Sequence, residues 1–156
     1  IHSYEPMRHK HEILSSNVQK FGRGQVETYS YGLGNSNRTS CFKESGGTRD
    51  EGTNEIALEL CNDAQVGSIR DVSFVLAQLK KIDLLHVNCE GCEYEILKRI
   101  FQPRSVLSTK IRVIEVQFHE IISENKYCEI EKLLRGAGFT LEYRFQFVWE
   151  AWVRLS

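Results

Sequence analysis

Hydrophobic and polar positions switch between a period of two and a period near 3.6 along the chain, and those switches mark the elements. His2-Ser3-Tyr4 opens as a short strand that stops at Glu5-Pro6, because proline cannot donate to a ladder and pushes its predecessor to extended geometry. Ile13, Leu14, Val18 and Phe21 recur at helical spacing and predict a helix over 8–21, with Gly22 just past its end. Val26 to Tyr31 alternates and is rich in β-formers, so it reads as a strand. The pattern then breaks. Residues 32–54 hold five glycines with many Asn, Ser and Thr, and read as one long polar loop.

Periodicity returns with short strands expected at 56–60 and 66–69, then a helix over 71–79 that carries Val72, Val75, Leu76 and Leu79 on one face. The dense run Ile82-Asp83-Leu84-Leu85-His86-Val87 has the look of a strand buried on both faces. A turn over 88–93 leads into a helix through Tyr94, Leu97 and Phe101, which ends before Pro103. Ile111 to Phe118 is a further strand with His119 and Glu120 at its end, and a helix over 125–135 closes at Gly136 and Gly138. Strands at 139–145 and 147–153 complete the chain as a hairpin. This order is α/β, with a mostly parallel sheet and an antiparallel element at one edge. Such sheets bind ligands at the carboxyl ends of their strands, where Glu5, Asn88, Glu90 and His119 all fall.

Composition narrows the classes. At 156 residues the chain is expected to form one domain, spanning 1–156, with a real core. Twenty basic residues against 21 acidic argue against a nucleic-acid partner, which would require clustered Lys and Arg. No apolar run reaches the roughly 18 residues of a membrane helix. No signal peptide is visible, and Ile1 opens directly into a strand without an initiator Met, so a fragment or trimmed chain is expected. Localisation stays open.

Five cysteines at irregular spacing do not read as a disulfide framework. Cys89-Glu90-Gly91-Cys92 is a lone CxxC. Zinc would need four ligands, with His86 and His119 the only partners in view, so no metal is assigned. A redox pair would want a helix start, which the spacing supplies, but packing as small hydrophobes is the favoured reading. Asn37-Arg38-Thr39 is a glycosylation acceptor triplet within the polar loop.

The block from Ile82 to Leu97, centred on Val87-Asn88-Cys89-Glu90-Gly91-Cys92-Glu93, resembles the signature of the FkbM-type S-adenosylmethionine-dependent methyltransferases. There a buried strand ending Leu-Lys-Ile-Asp is followed by Val-Glu-Gly-Ala-Glu opening a helix. Tyr4-Glu5-Pro6 with downstream Leu14 and Asn17 is similar to the end of the family's second strand, and Val113 to His119 to the strand after the signature. Val148-Trp149-Glu150-Ala151-Trp152 is similar to the aromatic end of eukaryote-type members. Two departures stand out. His86 and Asn88 replace the family's Lys and Asp, and the strand and glycine-rich turn that cradle the cofactor's methionine part are not in view. Gly32-Leu33-Gly34 is followed by a polar loop and not by a helix, so it does not replace that turn.

The resemblance implies a Rossmann-like, three-layer α/β class I methyltransferase domain lacking its first strand and helix. The strands at 2–4 and 82–88 would then pair directly or leave open edges for self-association. For the intact enzyme it implies methyl transfer from S-adenosylmethionine to an acceptor hydroxyl on a small molecule, glycan or lipid, while a truncated chain is expected to bind the cofactor weakly or not at all. Cofactor contacts fall on Glu5 (the ribose carboxylate), Pro6, Gly32 and Asn88. Asn88, Glu90 and His119 are the catalytic candidates, with His119 as the base, and Glu93 and Trp149 the substrate contacts. Against this stand a noncatalytic interaction module and a Cys/His metal or redox protein.

Overall fold

The computed structural model describes residues 1–42, 65–89, 91–103, 105–119, 124–145 and 149–155. The strand expected at 56–60, Glu90, Glu120 and the hairpin turn at 146–148 lie outside the described residues. The chain divides into two compact units, Ile1–Asp71 and Val72–Ser156. Its class is α/β, as expected, but the strands form three small sheets, two of them mixed. Among the described residues they do not make one parallel sheet covered on both faces.

In the first unit, β1 (His2–Tyr4), α1 (Arg8–Phe21) and β2 (Glu27–Tyr29) make a strand–helix–strand turn whose two strands pair in parallel, Tyr4 opposite Tyr29. The rings of Tyr4 and Tyr29 stack with centroids 5.0 Å apart. Helix α1 has the expected bounds, yet none of its residues is buried, and Ile13 and Phe21 face water. Its start is held by the Glu5 side chain, which accepts the Met7 N–H at 2.8 Å. That bond satisfies one of the orphan donors of a helix N-terminus.

The long loop expected over 32–54 is overturned in its first half. β3 (Gly32–Gly34) and β4 (Arg38–Phe42) flank β5 (Gln65–Asp71), parallel and antiparallel to it. β4 reads as a loop because Arg38, Thr39 and Ser40 are polar, yet Ser40, Cys41 and Phe42 are buried, Arg38 is half-buried and Thr39 alone of the five is exposed. A half-buried strand tolerates polar residues on its wet positions, so composition misleads there. Phe42, Met7 and Ile69 form the small core of this sheet. The glycines answer to close packing: a Cβ on Gly32 would meet Ile69 Cδ1 at 2.7 Å, and one on Gly67 would meet the Pro6 carbonyl oxygen at 2.6 Å.

The second unit runs α2 (Val72–Ala77), β6 (Ile82–Val87), α3 (Glu93–Phe101), β7 (Ile111–Gln117), α4 (Glu124–Gly136), β8 (Phe139–Phe145) and β9 (Trp149–Arg154). The sheet order is β6-β7-β9-β8. β6 and β7 are parallel, and the last strand enters between β7 and β8, antiparallel to both. β6 therefore lies at an edge. Ile82 and Val87 are buried, but Leu84 is 50% exposed, so the strand is not buried on both faces as its composition suggested.

Helices α3 and α4 pack together through fully buried Leu97, Ile100, Ile130 and Leu134, and the sheet contributes Ile114 and Trp152. Each such side chain contributes about 1.5–3 kcal/mol by leaving water. Phe101 meets Phe139 edge to face at 5.5 Å. Gln102, just before Pro103, takes φ −56°, ψ 151°, the extended geometry that proline imposes and that ends α3. Gly138, at φ 85°, turns the chain out of α4 into β8.

Candidate functional site

The second unit assembles its site at the carboxyl end of the parallel pair. β6 ends at Val87 and β7 at Gln117, with Val87 paired to Val116, so Asn88 and His119 leave the sheet at the same end. Asn88 is exposed. The chain then turns at Gly91, whose φ of 113° belongs to glycine, and enters α3 at Glu93.

Glu93 is the centre of this turn. Its side chain is wholly buried, and both oxygens are engaged. Oε1 accepts the Cys89 N–H at 3.1 Å, and Oε2 accepts the Gly91 N–H at 2.9 Å. Oε1 also lies 2.7 Å from His119 Nδ1. A buried carboxylate is tolerable when every oxygen has a donor, and here the turn and the imidazole supply them. A carboxylate at the first residue of a helix also gains from the helix dipole. Glu93 thus orients other groups; with both oxygens spent inside the chain, it is not placed to touch a substrate.

His119 is held from two sides. Its neighbour Phe118 is buried between Tyr94 and Tyr127, with ring centroids 5.4 Å from each. Burial of Phe118 sends the next side chain the other way, toward Glu93, where the imidazole keeps 13% of its surface in solvent. A carboxylate on Nδ1 favours the tautomer with the proton there and makes Nε2 the basic nitrogen. That is the arrangement a general base requires.

Cys89 and Cys92 are joined by a disulfide with their Cα atoms 5.5 Å apart, which ties together the two ends of the turn that feeds Glu93. Cys41 is disulfide-bonded as well. The expectation that these cysteines pack as small hydrophobes is corrected: they are cross-links. Sulfurs bonded to one another are not thiolates, so the pair offers no zinc ligand in this state.

Trp149 begins β9 opposite Gln117 and is half-buried, its ring 5.4 Å from that of His86, whose Nδ1 lies 3.3 Å from Glu115 Oε2 on the next strand. Trp152, three residues on, points the other way into the core, as the strand period required. A second buried carboxylate escaped the sequence reading. Glu150 Oε1 accepts from Tyr127 Oη at 2.6 Å and Arg144 Nε at 2.7 Å, and Oε2 from Trp152 Nε1 at 2.8 Å. Its signal was the alternation itself, which puts Glu150 on the same face as buried Trp152. Burial and the Glu150 carboxylate together push the Tyr127 phenol above its ordinary range.

The remaining candidates stand in the first unit. Glu5 follows β1, half-buried; Oε1 caps α1, and Oε2 has no partner among the described residues. Pro6 lies against the Cα of Gly32, and this packing accounts for both residues.

The chain matches the model of the methyltransferase FkbM domain over residues 1–141 and belongs to that family. Methyl transfer is thereby the class of chemistry to which the domain is built. No match was found among curated proteins or among solved structures.

Proposed function

We propose that the chain catalyses methyl transfer from S-adenosylmethionine to a hydroxyl oxygen, with His119 as the base and Glu93 as the residue that positions it. The observation that carries this reading is the 2.7 Å contact between His119 Nδ1 and the buried, fully engaged Glu93 carboxylate. The acceptor proton passes to Nε2 as the hydroxyl oxygen attacks, and the Glu93 charge stabilises the resulting imidazolium. S-adenosylmethionine supplies a methyl group already activated on a sulfonium. Proximity and a base are then most of what the protein must add.

Glu5 fits the ribose. Its position after a strand and its unpartnered Oε2 suit a sugar hydroxyl, while the Met7 N–H fixes the carboxylate through Oε1. Asn88 is exposed beside the turn and would contribute its amide toward the cofactor or the acceptor. Pro6 and Gly32 would support Glu5 through their mutual packing. Trp149 is the candidate for acceptor contact, and a small molecule, a glycan or a lipid could carry the hydroxyl.

Calorimetric titration of S-adenosylmethionine into the full chain tests the reading. Binding is expected, at least tenfold weaker in Glu5→Ala and unchanged in His119→Ala, while His119→Ala loses turnover. Absence of binding to the wild-type chain, or equal affinity in Glu5→Ala, would overturn it.

A further inference from the structure

Asn37 sits between β3 and β4, in the first unit, as the first residue of the triplet Asn37-Arg38-Thr39. Such triplets occur often by chance, and most are silent because the compartment or the geometry is wrong. Both conditions can be read here. The compartment is marked by cross-links: the Cys89–Cys92 disulfide and the disulfide at Cys41 persist where the surroundings are oxidising, and thiols are kept reduced in the cytosol. The two lie in different units, so each unit separately carries that mark.

The geometry is equally specific. Asn37 and Thr39 are both exposed, whereas Ser40, Cys41 and Phe42 beyond them are buried. Asn37 Oδ1 accepts the Asp71 N–H at 2.8 Å, closing the end of β5 over the β3–β4 turn. The amide is thereby oriented by its oxygen, and Nδ2 has no partner among the described residues. A substituent on Nδ2 leaves that oxygen free to keep its bond, so the folded chain can carry one without losing a contact.

We infer that Asn37 is an N-glycosylation site and that the protein matures in an oxidising secretory compartment. The glycan comes from a lipid-diphosphate-linked oligosaccharide. The Asn37 Nδ2–C1 bond forms as the sugar C1–phosphate bond breaks; the amide gives up one proton, and the lipid diphosphate leaves. The host transferase catalyses this on the extended chain, before β4 pairs with β5.

The test is peptide mass spectrometry of the protein recovered from the cells that make it, alkylated before any reduction. The expected result is an Asn37 peptide that carries an oligosaccharide and is converted to Asp by peptide-N-glycosidase. Cys41, Cys89 and Cys92 should resist alkylation, and Cys128, which is free and exposed, should accept it. Thr39→Ala is the clean variant: it removes the sequon but leaves the Asn37–Asp71 bond, and occupancy should fall to zero with folding unchanged. Thr39→Ser should retain the glycan. An unmodified Asn37 peptide, or alkylated Cys41, Cys89 and Cys92 in the native protein, would overturn the inference. So would a glycan that survives Thr39→Ala.

Discussion

The second unit buries two carboxylates, Glu93 and Glu150, and handles them differently. Glu150 is surrounded by a guanidinium, a phenol and an indole N–H drawn from α4, β8 and β9, so its bonds tie the C-terminal hairpin to a helix. One partner is a permanent cation, and none titrates near neutral pH. Glu93 is served by two backbone N–H groups from the turn just before it and by one imidazole. The first set can only hold the fold together. The second holds a local turn and leaves one partner able to take up a proton, which makes a buried carboxylate useful to chemistry.

Substitutions that separate the two roles come first. His119→Ala should act mainly on rate, lowering methyl transfer by about 10²–10⁴-fold, the usual worth of a general base, while the urea midpoint falls by the loss of one donor to the buried Glu93 carboxylate. A loss in rate smaller than tenfold would remove the base from His119. Glu150→Leu should do the opposite. It strands the Trp152 N–H in the core and frees Arg144 and Tyr127, at a cost of about 2–3 kcal/mol in unfolding free energy. The rate per folded molecule should stay within a factor of about two, since no catalytic candidate touches it.

Glu93→Gln is the finer probe. The amide has one acceptor oxygen where the carboxylate has two, so it keeps only part of the turn's bonds and cannot stabilise an imidazolium; a rate loss of about ten- to a hundredfold is expected. A purely structural Glu93 would lower stability and leave the rate per folded molecule unchanged.

The smallest effect concerns Tyr127. Its phenol titrates at 10.0 in an unfolded chain and higher in the folded protein, through burial and the neighbouring Glu150. The folded state therefore binds the proton more tightly. Its contribution to stability is complete below pH 10.0 and is lost as pH rises through the folded value. Tyr127→Phe should flatten that part of the alkaline decline in urea midpoint that lies above about pH 10. An unchanged slope would assign the decline to other tyrosines, such as Tyr29, pushed up to about 12 by its bond to Glu27.

How much was legible differs between the units for a physical reason. In the second unit, strong apolar periods fixed α3, β7 and β8 to within a residue or two; α3 and β7 bury one face against a shared core, whereas β8 buries Phe139 and leaves Tyr143 and Phe145 exposed. In the first unit, β4 disguised itself with polar Arg38, Thr39 and Ser40, of which Thr39 alone is exposed, and Gly32 looked like a loop residue when it is a close contact. The CxxC was visible, but whether two nearby cysteines are ligands, fillers or a cross-link depends on where the backbone brings their sulfurs.

The sequence by itself determined the α/β class, the order of helices and strands in the second unit, the family and the set of polar residues at strand ends. These follow from local periodicity and from a contiguous motif. Only the tertiary structure decided that Glu93 faces inward to His119 instead of outward to an acceptor, that β6 stands at an edge, and that Glu150 locks the hairpin. Each of these depends on residues 23 or more positions apart meeting, or failing to meet, in space. Such pairings are set by how sheets and helices pack, and short-range patterns carry no record of them.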